Sequence, residues 1–168
     1  MSYLGHGNLV QGEYHPQNPH KYVGKYPIKF RSSWELRLMK FFDENANVLQ
    51  WTSESISIPY YDPIKKKMRR YYPDFSVVYM DKEKNIIKEI IEVKPLKHAP
   101  LGDGIVTREK FSRAHLASPV QGKKKIKTYM REVATYITNI KKWEAMVNAA
   151  DRMGYRFRVM TESSIFRK

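Results

Sequence analysis

Trp34, Leu38, Phe41 and Phe42 recur at helical spacing, which predicts a helix over Phe30–Asn45. Ser32 just inside its start is a natural N-cap. From Val48 to Tyr61 the period falls to two, with Ile56, Ile58 and Tyr60 on one face, and the segment reads as a strand. Asp62-Pro63 and the run Lys65, Lys66, Lys67, Met68, Arg69, Arg70 mark a basic hairpin turn. Tyr71–Met80 is a second strand, Asp81–Asn85 a polar turn and Ile86–Lys94 a third strand. The isoleucines of that third strand do not alternate with polar residues, as expected of a strand covered on both faces, so it belongs near the middle of a sheet. Leu96–Val106, with Gly102 and Gly104, reads as a loop and Thr107–Ser118 as a short helix. Gln121–Asp151 is mostly helical, with a break near Thr138-Asn139, and Gly154 is a helix stop before a last strand at Tyr155–Met160. The order α-β-β-β-α-β predicts an α/β fold with a mixed central β-sheet flanked by helices. Residues 1–27, rich in Gly, Asn, Gln, His, Pro and Tyr, read as an extended N-terminal arm ahead of a domain spanning residues 28–168.

Composition narrows the partners. The 168 residues suit one α/β domain. Lys and Arg number 31 against 17 Asp and Glu, a net charge of +14. Such a balance calls for a polyanion, nucleic acid or an acidic membrane surface. No window nears the roughly 20 apolar residues of a membrane span, and the N-terminus lacks the apolar core of a signal peptide. There is no cysteine, which excludes disulfides and thiolate metal sites. No RNP-like aromatic motif or GxxG clamp supports RNA binding.

The candidate chemistry follows from register. If Met80 pairs with Ile86 across the turn near Glu83, counting outward places Asp74 opposite Glu92. Directly opposed residues share a face, with Cβ atoms about 5 Å apart, and Lys94, two residues on, lies on the same face. Two opposed carboxylates repel unless something positive sits between them. They suit a hard divalent cation, Mg²⁺ or Mn²⁺, which takes one or two carboxylates and keeps its waters. Such a cation can polarise a phosphodiester, and Lys94 can orient a water or offset charge on the phosphate. The bland alternative is an acid at a strand edge beside an ordinary Lys94–Glu92 salt bridge.

The stretches Tyr72-Pro73-Asp74 and Ile91-Glu92-Val93-Lys94-Pro95 resemble the PD-(D/E)xK nuclease superfamily. The wider set includes Phe30-Arg31-Ser32-Ser33-Trp34-Glu35, Trp51-Thr52-Ser53-Glu54, Arg69-Arg70-Tyr71, Ala114-His115-Leu116, Lys142-Trp143 and Arg156–Glu162. It resembles, more narrowly, the head completion nucleases of T-even-type phages. The resemblance implies a restriction-endonuclease-like core and Mg²⁺-dependent cleavage of double-stranded DNA, with Mn²⁺ able to substitute. It implies a role in finishing the DNA-filled head before tail attachment, in the cytoplasm of an infected bacterium or in the virion, beside head or neck proteins. No membrane and no small-molecule cofactor enter this picture. Asp74, Glu92 and Lys94 take the catalytic positions, and Asp74, Glu92 and the backbone carbonyl of Val93 hold the metal. The alternative is a DNA-end-binding neck protein that keeps the fold and cuts nothing.

The remaining candidates divide between chemistry and structure. In the superfamily a glutamate on the first helix reaches the metal, which makes Glu35 a candidate ligand and catalytic residue; Ser32-x-x-Glu35 is equally a helix capping box. Glu54, following Trp51 at the start of a strand, is a further candidate to approach the site. Lys65, Lys66, Lys67, Arg69 and Arg70 can grip DNA phosphates or form a solvated hairpin tip. Lys123, Lys124 and Lys125, ahead of a long helix, offer a second DNA-binding stripe or plain solubility. His98 and His115 lack a second His or Cys at ligand spacing. Trp34, Trp51 and Trp143 belong in the core. The N-terminal arm is expected to be dispensable for cleavage and needed for assembly.

Overall fold

In the computed structural model, which describes residues 10–114, 119 and 122–167, two short strands lead the chain, β1 (Gly12–Tyr14) and β2 (Ile28–Phe30), paired antiparallel. Helix α1 (Ser33–Glu44) follows. Next come β3 (Val48–Ser53), β4 (Ile58–Asp62), β5 (Lys67–Tyr71), β6 (Phe75–Met80), β7 (Ile86–Val93) and β8 (Gly104–Ile105). Helices α2 (Arg108–Ala114) and α3 (Ile126–Met153), strand β9 (Arg156–Met160) and the short helix α4 (Glu162–Ile165) complete the order.

The central sheet runs β3-β6-β7-β9-β8, with β7 in the middle. It is mixed: β7 is antiparallel to β6 and parallel to β9. The parallel pairing needs a crossover, and α3 supplies it. Alternation along the strands sends side chains to two cores. Phe75, Val77 and Ile91 pack with Leu38, Met39 and Phe42 of α1 on one face. Ile90, Phe157 and Val159 pack with Trp143, Met146 and Val147 of α3 on the other. The mixed sheet with helices on both faces is the fold that the hydrophobic pattern predicts. Trp51 and Trp143 are core residues, 1% and 0% exposed, and Trp34 packs partly buried against the α1-side core.

Several boundaries differ, each for a local reason. The expected strand Val48–Tyr61 is two strands, because Glu54 adopts a left-handed backbone (φ 47°) that turns the chain out of the sheet. Likewise Tyr71–Met80 is interrupted between β5 and β6 at Pro73, which cannot donate to a ladder. As a result β4 and β5 form a separate two-stranded hairpin. Only Lys65 and Lys66 of the basic run lie in its turn; Lys67, Arg69 and Arg70 lie on β5. The expected break at Thr138-Asn139 does not occur, and α3 runs unbroken for 28 residues. Asn139 is buried there because its side-chain amide donates to the His98 carbonyl at 3.1 Å. The loop Leu96–Val106 contains β8, which adds to the sheet edge. The first helix begins at Ser33, since Phe30 ends β2. His115 lies outside the described residues.

Part of the stretch expected to be an arm contributes to the core. Tyr14 and Tyr22 are 8% and 6% exposed, and both pack edge or tilted against Trp51. The carboxylate of Asp43, 0% exposed near the end of α1, holds this segment. It accepts from Tyr14 Oη at 2.9 Å, from Gln17 N at 2.7 Å and from Asn18 N at 3.0 Å. Lys21 Nζ donates to the carbonyls of Asp43 and Asn45, both at 2.9 Å, placing a cation at the helix C-terminus where the dipole favours it.

Candidate active site

The β6–β7 register runs from Met80↔Ile86 to Phe75↔Ile91. One further step brings Asp74 opposite Glu92, as the turn-based count expects. The pair is joined through the backbone: Val93 N donates to Asp74 Oδ2 at 2.7 Å. Glu92 is 4% exposed. Its Oε1 accepts from Lys94 Nζ at 3.0 Å and its Oε2 from Tyr71 Oη at 2.7 Å. Asp74 Oδ1 makes no protein hydrogen bond among the described residues. The backbone around Asp74 is tied down too, its carbonyl accepting from Glu54 N at 2.9 Å.

Burial sets the electrostatics of this cluster. Withdrawal from water, and then the neighbouring Glu92, push the Asp74 carboxyl well above the usual carboxylate range. Burial and Glu92 likewise push the Tyr71 phenol well up, so it stays a donor. Burial works to lower the Lys94 ammonium, but Glu92 outweighs it and the pKa is raised. Lys94 is therefore a fixed cation at neutral pH.

Glu35 serves as a helix cap. Its carboxylate accepts from Ser32 Oγ at 2.8 Å and from Arg31 N at 2.9 Å, while Ser32 Oγ accepts from Glu35 N. Its charge is nonetheless felt at both Asp74 and Lys94, so the first turn of α1 lies near the carboxylate pair. Glu54 turns its carboxylate to Arg31 in an ion pair. The structure thus brings Asp74, Glu92 and Lys94 together, with Glu35 in electrostatic range.

The basic candidates are all exposed, on the β4–β5 hairpin and ahead of α3. Arg69 pairs with the buried Asp62 at 3.4 Å and Arg70 Nε donates to Ser57 Oγ at 2.7 Å. Lys124 pairs with Glu132 at 2.6 Å.

Among the described residues no group of three or more His, Cys, Asp or Glu side chains is placed to hold a metal ion. Two adjacent carboxylates, one with a free oxygen, are still a hard-oxygen donor set of the kind that Mg²⁺ accepts alongside its own waters. Lys94 offsets part of the charge of the pair through Glu92, while Asp74, raised by burial and by Glu92, has no cation bonded to it among the described residues. The donor set fits a divalent cation.

Tyr71 is a site residue that sequence reasoning missed. It sits three positions before Asp74, but the break at Pro73 hides its face. Tyr71→Phe removes the hydrogen bond that orients Glu92 and keeps the ring. Groups of this kind alter activity by roughly 10- to 100-fold when lost. The expected outcome is such a drop in the turnover of the site with little change in melting temperature, checked by rate measurement and calorimetry side by side.

A family model described as TnsA-like endonuclease N terminal matches residues 45–162. That stretch contains Tyr71, Asp74, Glu92 and Lys94 and leaves Glu35 outside. The head completion nuclease of Enterobacteria phage T4 is 32% identical over 155 residues, covering 92% of this chain and 92% of that protein. No solved structure matches the chain significantly.

Proposed function

Because the chain belongs to the family of TnsA-like endonuclease N-terminal domains, we propose that it is a divalent-metal-dependent endonuclease that hydrolyses phosphodiester bonds of double-stranded DNA. The observation that carries this reading is the opposed pair Asp74 and Glu92 with Lys94 bonded to Glu92 at 3.0 Å. Asp74 directly precedes β6, and Glu92 and Lys94 stand at the end of β7 and just past it, which suits a restriction-endonuclease-like core. The relative from phage T4 supports a place in head completion, after DNA packaging and before tail attachment. On this reading the protein works in the host cytoplasm or the virion, beside head or neck proteins.

In this reading Asp74, Glu92 and the Val93 carbonyl hold Mg²⁺ or Mn²⁺. When bound, such an ion supplies positive charge that polarises the phosphodiester and acidifies water. Tyr71 and Lys94 fix the orientation of Glu92 through its two oxygens. Lys94, charged at neutral pH, is suited to offset the charge that builds on phosphorus as water attacks and the sugar oxygen departs. It is not suited to be the base that takes the proton from water. Glu35, committed to its cap, acts at longer range.

Supercoiled plasmid incubated with the protein and Mg²⁺, with and without EDTA, tests the reading. Relaxed or linear product that EDTA suppresses supports it. Plasmid left supercoiled under Mg²⁺ and Mn²⁺ alike overturns it in favour of a DNA-end-binding protein.

The exposed cations of the β4–β5 hairpin are proposed to hold the DNA backbone, with Lys123, Lys124 and Lys125 as a second contact. Each phosphate contact releases condensed counterions and adds roughly 0.9 to the slope of log K against log salt. Replacing Lys65, Lys66, Lys67 and Arg70 by glutamine, and sparing Arg69 because it partners the buried Asp62, is expected to flatten that slope by two or more. An unchanged slope in a salt titration would mark the hairpin as a solvated tip.

A further inference from the structure

Lys142, which belongs to the stretch Lys142-Trp143 of the family resemblance, has no role in the site as described so far. It lies on α3, one residue before the fully buried Trp143. Its Nζ stands 5.5 Å from the centroid of the Tyr71 ring and 6.0 Å from that of Tyr60. These rings come from the two strands of the basic hairpin. Tyr71 also carries the hydroxyl that bonds Glu92 at 2.7 Å. The ammonium is thus positioned by the same side chain that orients a carboxylate of the site.

Four charged groups bear on it, the cations Lys94 and Arg69 and the carboxylates Glu92 and Asp62. Arg69 has Asp62 at 3.4 Å and Lys94 has Glu92 at 3.0 Å. Lys142 has no carboxylate within ion-pair distance among the described residues. A half-buried cation without a directly paired anion is costly, and two aromatic faces offset only part of that cost. The placement becomes favourable once an anion arrives from outside.

We propose that Lys142 binds a backbone phosphate of the DNA, bridging the hairpin cations to the Asp74–Glu92 pair. Arg69 and Lys94, both in electrostatic range of Lys142, are then available to neighbouring phosphates of the strand being cut. Tyr60 and Tyr71 hold the ammonium at a fixed place relative to Glu92, so the contact sets which phosphate reaches the site. Lys142 is a substrate-positioning group, and the assignment rests on the nuclease reading for what happens at the next phosphate. The competing role is purely structural, a lysine stem that fills the space between two tyrosines.

Lys142→Met separates the two, because methionine keeps an aliphatic stem between the rings and deletes only the charge. Binding of a labelled 30-base-pair duplex is measured in EDTA between 50 and 200 mM salt. Nicking of supercoiled plasmid is measured in Mg²⁺. Lys142→Met is expected to bind on the order of 10- to 100-fold more weakly, the scale of one charged hydrogen bond. Its log K against log salt should be shallower by about 0.9. Lys142→Arg should restore the slope, and Lys142→Gln should repeat the loss. A wild-type slope in both Lys142→Met and Lys142→Gln overturns the proposal, as does a wild-type protein that does not bind the duplex. If wild type binds but never nicks, the nuclease reading fails and the slope still decides the role of Lys142.

Discussion

An Asp74→Asn protein is expected to fold, to lose metal-dependent cleavage by at least 10²- to 10³-fold, and to be more stable than wild type at neutral pH without metal. The loss is of the size seen when one group that stabilises a transition state is removed. The stability gain follows from linkage. Burial and Glu92 raise the Asp74 carboxyl well above its ordinary 3.8. A carboxyl raised on folding makes the metal-free native state bind more protons than the unfolded chain. Stability is then greatest below the ordinary carboxylate pKa and falls as pH rises through the raised range. Asparagine removes that fall and still offers an oxygen to Val93 N, so the hydrogen bond at 2.7 Å keeps an acceptor. Melting temperatures across pH 4 to 8 should slope downward for metal-free wild type more steeply than for Asp74→Asn. Stabilisation by added Mg²⁺ or Mn²⁺, expected of a ligand that binds only the native state, should vanish in the variant. Equal pH slopes in the two proteins would show that the carboxylate pair is not under strain, and normal metal binding by Asp74→Asn would remove it from the ligand set.

Removing residues through Gly24 is expected to unfold the domain. The sequence pattern makes this segment look dispensable, and the packing makes it part of the core. Truncation strips Tyr14 and Tyr22 from around Trp51 and leaves the carboxylate of Asp43, 0% exposed, without the three donors it has now. Burying each tyrosine contributes on the order of 2 kcal/mol, and a buried carboxylate stripped of partners costs several more. The sum rivals the whole stability of an ordinary domain, about 5–15 kcal/mol. Circular dichroism of the truncated chain should show loss of cooperative melting near room temperature. Asp43→Ala should show a milder version of the same defect. A truncated protein that melts like the full chain and still nicks DNA would establish the segment as an arm after all.

These two predictions mark what was readable in the residues and what was not. The Asp74–Glu92 register was legible because a short polar turn joins two strands, so pairing is fixed by counting over a few residues. The central place of β7 was legible from its unbroken isoleucines. The ends of the strands were not, because Glu54 and Pro73 divert the chain by single-residue backbone effects that leave the apolar pattern intact. Strands β1, β2 and β8, of three, three and two residues, are too short to show a period. The roles of Asp43, Tyr71 and Asn139 depend on partners more than 20 residues away, at separations of 26, 21 and 41, and no local signal reports such contacts. For Lys142 a hint existed: it flanks the apolar stripe Trp143, Met146, Val147 and Ala150, at the margin where a helix leaves the core.

The parallel pairing of β7 with β9 also governs the order in which the molecule can assemble. Strands β3, β6 and β7 form an antiparallel meander whose β6–β7 turn is local and quick to close. The other side of β7 gains its neighbour only after all of α2 and the 28-residue α3 have been laid across the sheet. Pairings between distant segments form late. Until then the edge of β7, with Ile90 and Ile91, presents unpaired backbone beside apolar side chains, a template for association with another chain. The strand that carries Glu92 is therefore the aggregation-prone one during refolding. Yields should fall with protein concentration more steeply than the mature surface, with its large positive charge, would suggest.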